Sequence, residues 1–188
     1  MKRERLKKSS NTTQSFHVLS FDPSLTAWGW VVMDGEDHRV LACGCIKTEP
    51  QHKKLRTRVG DDRVRRINEL NRQLLKVIRD WDVQYLLSEQ PHGSQSAVSA
   101  VMVGITLGIG QTLSDSLNLG IEWYSEGDAK KALSNKKSLS KQQTIEEIGK
   151  LYDVPWTGIK YRDEAVADAI AVYNVARQQS PILIYHKK

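Results

Sequence analysis

Three carboxylates stand in surroundings that do not favour a bare charge. Asp22 closes an apolar run, Phe16 to Phe21, and is followed by a Pro23-Ser24 turn and a second apolar run, Trp28 to Met33. Glu89 ends the buried-looking stretch Val83-Gln84-Tyr85-Leu86-Leu87-Ser88. Asp168 lies among small and apolar residues, from Ala165 to Val172. An unpaired carboxylate in such a setting is costly. Each alone has an alternative as a salt-bridge partner or helix cap. As a set they are hard oxygen donors suited to Mg²⁺ or Mn²⁺. Two such ions about 4 Å apart can stabilise the attacking and leaving oxygens of a phosphodiester.

The elements that must position these groups follow from periodicity and turn residues. Apolar runs broken by turns predict strands over Phe16–Asp22, Ala27–Met33 and His38–Lys47, the last two joined by the hairpin turn Asp34-Gly35-Glu36-Asp37. Thr48 to Asp62 is polar and basic and reads as a loop. Val64, Ile67, Leu70, Leu74, Val77 and Ile78 recur at helical spacing, predicting an amphipathic helix over Asp62–Asp80, with Asp61 or Asp62 as its cap. A strand over Val83–Glu89 comes next. Ser96–Leu117 is apolar and contains Gly104, Gly108 and Gly110, predicting a helix packed closely on the sheet. A short strand, Ile121–Tyr124, precedes helices over Asp128–Leu133 and Leu139–Tyr152. A final helix over Asp163–Gln178 leads to Pro181 and an extended tail. This order gives a mixed α/β sheet with helices on its faces.

The chain has 188 residues, enough for one domain with a real core. Residues 1–15 read as a disordered basic arm, 16–180 as the folded domain and 181–188 as a tail. No apolar run approaches the roughly 20 residues needed to cross a bilayer, and no secretory signal follows the basic start. The net charge of +6 favours a polyanionic partner, nucleic acid first. Cys43 and Cys45 lie on one side of a strand and are too few for a zinc site. They read as small buried residues in a reducing, cytoplasmic compartment.

Taken in order, the motifs resemble those of the RuvC family of Holliday junction resolvases, within the ribonuclease H-like superfamily. Asp22-Pro23-Ser24-Leu25-Thr26-Ala27-Trp28-Gly29-Trp30 is similar to the family's opening motif, Asp-Pro-Gly-x-x-x-x-Gly-aromatic. Gly44-Cys45-Ile46, Glu89-Gln90, the lysines Lys130 and Lys141, and Ala167-Asp168-Ala169 match later motifs. The resemblance runs from about Phe16 to Arg177. It implies a five-stranded mixed sheet flanked by helices, Mg²⁺ (or Mn²⁺) as cofactor, a homodimer, and branched DNA as substrate.

By the same resemblance, Asp22, Glu89 and Asp168 are metal ligands and catalytic residues. The family's acid or His three residues before the last Asp is replaced here by Ala165. Glu164 lies about 40° from Asp168 around a helix and Asp163 about 140° away, which favours Glu164 as the fourth ligand. Asp163 stays open if it starts the helix. Lys130 and Lys141 fall beside the scissile phosphate, where an ammonium meets a phosphate oxygen. Lys131, Lys136 and Lys137, the loop Lys53, Lys54 and Arg56, and the arm are further DNA-backbone candidates. His92 stands where the family often has an aromatic wedge. These departures and the arm hint at a divergent, phage- or virus-like member. Two other readings remain: a ribonuclease H-like nuclease for other branched DNA or RNA–DNA hybrids, and a non-catalytic junction-binding protein.

Overall fold

The computed structural model describes residues 15–91, 93, 96–135 and 138–186, without the Lys53 side chain. The proposed arm, His92, Lys136 and Lys137 therefore lie outside the described residues, except for Ser15 at the arm's end. One five-stranded sheet has the order β3-β2-β1-β4-β5. Its strands are β1 (His17–Asp22), β2 (Ala27–Asp34), β3 (Val40–Lys47), β4 (Val83–Gln90) and β5 (Gly120–Ser125). β1–β2 and β2–β3 are antiparallel, whereas β4 runs parallel to both β1 and β5.

Alternation splits the strands' side chains between two cores. Leu19, Phe21, Trp28, Val32 and Leu86 pack on one face with Leu70, Leu74 and Ile78 of α1 (Val59–Asp80) and Ile109 and Leu113 of α2 (Ala97–Leu117). Val18, Val31, Met33 and Leu87 pack on the other with α5 (Lys160–Gln179), whose Val166, Ile170 and Val172 to Ala176 are buried. Outside α5 lie α3 (Glu126–Ser134) and α4 (Lys141–Leu151), so α5 is covered on most sides. The result is a three-layer arrangement around two hydrophobic cores.

The hairpin turn forms as expected: the Asp34 carboxylate accepts from the amides of Glu36 and Asp37 at 2.9 and 3.0 Å. Several details differ from the sequence expectation. α1 starts at Val59, after a short 3₁₀ turn over Lys53–Leu55. Arg58 precedes it as an uncapped N-cap, while Asp62 accepts instead from the Gln51 amide and from Arg65. Residues 181–185, expected as extended, form α6 (Pro181–Tyr185), because the Ser180 hydroxyl caps it and Leu183 is buried in the core.

The glycines of α2 were expected to permit close packing. Only Gly110 does so, with a Cβ there meeting Trp123 and Phe21, whereas Gly104 and Gly108 face open space. Residues 97–101 at the start of α2 are exposed, Val98 and Val101 among them, while Met102 and Ile105 pack against the core. Contrary to the sequence reading, α2 is long and apolar enough to cross a membrane by length and composition. Its C-terminal half is instead committed to the protein, with Ile109, Gly110, Leu113 and Ser114 buried.

Candidate active site

Strand register brings the acids together. Asp22 ends β1, and the pairing Phe21 with Ser88 sets Asp22 beside Glu89 on the neighbouring parallel strand. Both belong to the row of side chains that faces α5, because Ser20, two residues before Asp22, meets α5 directly. The Ser20 hydroxyl donates to the Ala169 carbonyl at 2.7 Å, fixing α5 one residue from Asp168. Gly29 pairs with Asp22 and sits beneath α5. A Cβ on Gly29 would lie 2.0 Å from the Ala165 carbonyl oxygen, so glycine is what lets the helix backbone lie on the sheet here. Asp168, one turn of α5 further on, is thereby held over Asp22 and is only 6% exposed.

The turn after Asp22 is held from the opposite face. Arg66 of α1 is buried and donates to Thr48 Oγ1 at 2.8 Å, Leu25 O at 3.2 Å and Thr26 Oγ1 at 3.1 Å. Thr48 also donates to Leu25 O at 2.5 Å. A guanidinium buried among carbonyls and hydroxyls thus ties the Pro23–Thr26 turn to the end of β3.

Burial and mutual proximity show in the acids' proton affinity. Burial, then the charge of Asp168, raises Asp22 from 3.8 to about 7, with Glu126 adding and Lys141 opposing. Burial, then Asp22, Asp168 and Glu126, raises Glu89 from 4.5 to about 8. Asp168 is also raised by burial, against the pull of Lys141 and Lys130. Lys141 forms an ion pair with Asp168. Its ammonium is favoured by Asp168, Asp22 and Glu89, which outweigh the cost of burial. Lys130 pairs with Glu126 one turn earlier on α3. Lys141, the first residue of α4, and Lys130, in the middle of α3, thus both stand beside acidic groups, on two different helices.

Glu126 is the residue that sequence reasoning missed. Its charge acts on Asp22, Glu89 and Asp168 alike. It follows β5 directly, so it emerges beside the end of β4, where Glu89 pairs with Tyr124. The available signal was its place four residues before Lys130 at a helix start, which reads equally well as a solvated ion pair. Asp163 accepts from the Thr157 amide and hydroxyl at 2.9 and 2.8 Å and from the Gly158 amide at 2.8 Å. Those bonds occupy it in holding the 157–158 turn. Glu164, next to it, is half-buried and carries no such commitment.

The other predicted contacts are more dispersed. Lys131 is exposed on α3, and Lys54 and Arg56 are exposed in the segment before α1. Cys43 and Cys45 are free and half-buried rather than fully buried, and burial raises both thiols. Among the described residues, no three His, Cys, Asp or Glu side chains are arranged closely enough to hold a metal ion as they stand. The acids nevertheless suit a hard cation: they are buried carboxylate oxygen donors, and the Lys141 ammonium already stands against one of them.

The order of strands, the helix laid on β1 and β2, and acids at strand ends and on that helix make up a ribonuclease H-like fold. No family model matches the chain. Curated relatives do. The "Crossover junction endodeoxyribonuclease RuvC" of Rickettsia akari is 29% identical over 157 residues, covering 82% of this chain and 93% of the relative. The protein of the same name from Pelodictyon phaeoclathratiforme is 27% identical over 136 residues, covering 71% of this chain and 66% of the relative, just under two thirds of its length. Among solved structures, Thermus thermophilus RuvC in complex with Holliday junction substrate superposes with a TM-score of 0.65 at 18% identity, covering 85% of this chain and 92% of that one. The yeast mitochondrial Holliday junction resolvase Ydc2 gives 0.61 at 11% identity, over 91% and 81%. In sequence and in fold the chain is thus similar to RuvC proteins.

Proposed function

We propose that this protein is a Holliday junction resolvase, a structure-specific endonuclease that hydrolyses phosphodiesters at four-way DNA junctions with a divalent metal. The observation that carries the reading is the convergence of Asp22, Glu89 and Asp168, two of them held at about 7 and 8, with Lys130 and Lys141 alongside. Relatives named for crossover junction cleavage support the choice of substrate.

Asp22, Glu89 and Asp168, with Glu164 as the fourth carboxylate, would hold Mg²⁺ or Mn²⁺. A bound divalent metal supplies a water of lowered pKa and charge stabilisation at the leaving oxygen. Asp22 and Glu89 must give up protons before they can act as ligands, so catalysis rises through neutral pH. Asp168, now paired with Lys141, would contribute its carboxylate to that site, and Lys141 and Lys130 would offer their ammonium groups to the phosphate oxygens. Arg66 keeps the turn after Asp22 in place while charge accumulates beside it.

A two-fold dimer suits a two-fold junction, since two symmetry-related sites can cut two strands. The exposed start of α2, with Val98 and Val101, is the surface for that partner. The free cysteines fit a reducing, cytoplasmic compartment. The test is nicking of an end-labelled immobile four-way junction against flaps, RNA–DNA hybrid and matched linear duplex, with Mg²⁺ and with EDTA. Metal-dependent, symmetric cuts in the junction alone support the reading. Binding without cuts identifies a junction-binding protein, and cuts in flaps or hybrids a broader nuclease.

A further inference from the structure

A second surface capable of chemistry lies beside the acids, on the open edge of the sheet. β3 is an edge strand. The register runs Asp22 to Gly29 to Cys45 across three strands, so Cys45 sits two inter-strand spacings, about 10 Å, from Asp22. Cys43, Cys45 and Lys47 share the α5 side of β3 by alternation. Facing the two cysteines across a groove are Val154, Pro155, Trp156 and Thr157, the segment between α4 and α5, with Arg162 and Asp163 of α5, while Lys47 stands just outside that lining, two residues beyond Cys45. The groove has a volume of about 280 Å³. That is near the lower end of small-ligand pockets, about 300 Å³, and suits one nucleotide rather than a duplex.

The groove's chemistry is cationic at its mouth and apolar along its wall. Tyr161 lies between two cations from different elements: Lys47 Nζ is 5.1 Å and Arg162 Cζ 5.9 Å from its ring centroid. Arg162 Nε also donates to the Tyr161 hydroxyl at 3.2 Å, which sets the guanidinium's direction. The nearby acids are Glu49, Asp163 and Glu164. Glu49 pairs with Lys47 at 2.5 Å on the open surface, an exchangeable contact. Asp163 is turned into the 157–158 turn, where Gly158 takes a φ of +74°. That arrangement braces the wall carrying Trp156 and leaves the Arg162 guanidinium without a carboxylate ion pair among the described residues.

We propose that this groove is a nucleotide subsite, holding an unpaired nucleotide of the substrate with its phosphate on Arg162 and Lys47 and its base against Trp156. Resting on the proposed function, it deepens that reading. Ten ångströms from Asp22 is within about three phosphates along a strand at 3.4 Å rise per nucleotide. An unpaired base near the cut is what a branch point offers and a linear duplex does not. Stacking on an indole tolerates every base, with strength set by the base's surface, so the subsite reads openness of the strand.

The test uses the full chain in EDTA, where binding is read without cleavage. Wild type, Arg162→Gln, Trp156→Leu and Lys76→Gln are titrated with a fluorescent 20-nucleotide single strand and with an immobile junction, at several salt concentrations. Lys76 pairs with Asp80 at the far end of α1 and controls for loss of one charge. Arg162→Gln is expected to weaken single-strand binding by about 3–10-fold and to flatten the salt dependence by about one phosphate contact. Trp156→Leu is expected to weaken it at least about fivefold, with loss of the tryptophan quenching that wild type shows on binding. Lys76→Gln should match wild type. Unchanged affinity and quenching in both groove variants, in chains whose melting curves match wild type, would overturn the subsite. Whether wild type cuts the junction in Mg²⁺ is scored separately, so failure of the subsite and failure of the resolvase reading are distinct results.

Discussion

Replacing Asp22 by Asn should stabilise the metal-free protein at alkaline pH and do nothing for it in acid. Asp22 is held at about 7 in the fold against 3.8 ordinarily. Each unit is about 1.4 kcal/mol, so keeping this carboxylate charged above pH 7 costs the folded state on the order of 4 kcal/mol. Because the shift is shared with Asp168 and Glu126, an Asn of the same shape should recover about half, ~2 kcal/mol. For a chain of this length that is about 4–8 °C in Tm. The sign follows from linkage. Between 3.8 and 7 the folded state binds more protons than the unfolded one, so this group's contribution is fully present below about pH 4 and is lost as pH rises through 7. Asn has no such dependence. Calorimetry of both proteins in EDTA at pH 4 and pH 8 should therefore show a gain only at pH 8, and excess Mg²⁺ should raise wild type's Tm at pH 8 more than the variant's. An equal gain at both pH values, or a loss at pH 8, would refute the claim that Asp22 is a buried carboxylate whose charge is costly in the metal-free fold.

Other substitutions probe the parts that hold the site. Gly29→Ala would push a methyl into the Ala165 carbonyl, forcing α5 off the sheet; a loss of about 1–3 kcal/mol by denaturant melting is expected, with cleavage falling further. Lys141→Gln removes a charge that lowers Asp168, so the acid limb of the pH–rate profile should move to higher pH, and an unmoved limb would count against the ion pair's role. Arg66→Met removes the donors to Thr48 Oγ1, Thr26 Oγ1 and the Leu25 carbonyl, leaving the Thr48–Leu25 bond alone to hold the turn, which should cost about 1–3 kcal/mol in urea melts and lower activity even in protein that remains folded.

What could be read from the residues is what local pattern encodes. The alternation of Phe16–Asp22 and Ala27–Met33 gave the strands, and a carboxylate at the end of one of them was already anomalous. Asp168 stood out because its neighbours on α5 are small or apolar on every side. Arg66 did not stand out: an arginine in an amphipathic helix normally reaches water, and only tertiary structure supplies the carbonyls that bury it. Glu126 was hidden for a similar reason, since its spacing to Lys130 describes a surface pair until β5 delivers it beside β4. Gly104 and Gly108 misled because glycine in a helix permits contact without causing it, and both lie on the side of α2 turned away from the core that Ile105 and Ile109 join. Register, which fixes the file from Asp22 to Cys45, is a relation between strands and has no single residue to announce it.

The most direct test of the central claim measures junction binding and cleavage together for wild type, Asp22→Asn and Asp168→Asn, on an end-labelled immobile four-way junction with Mg²⁺. The account predicts that wild type cuts, that neither variant does, and that all three bind the junction with similar affinity. Full cleavage by either variant would contradict it.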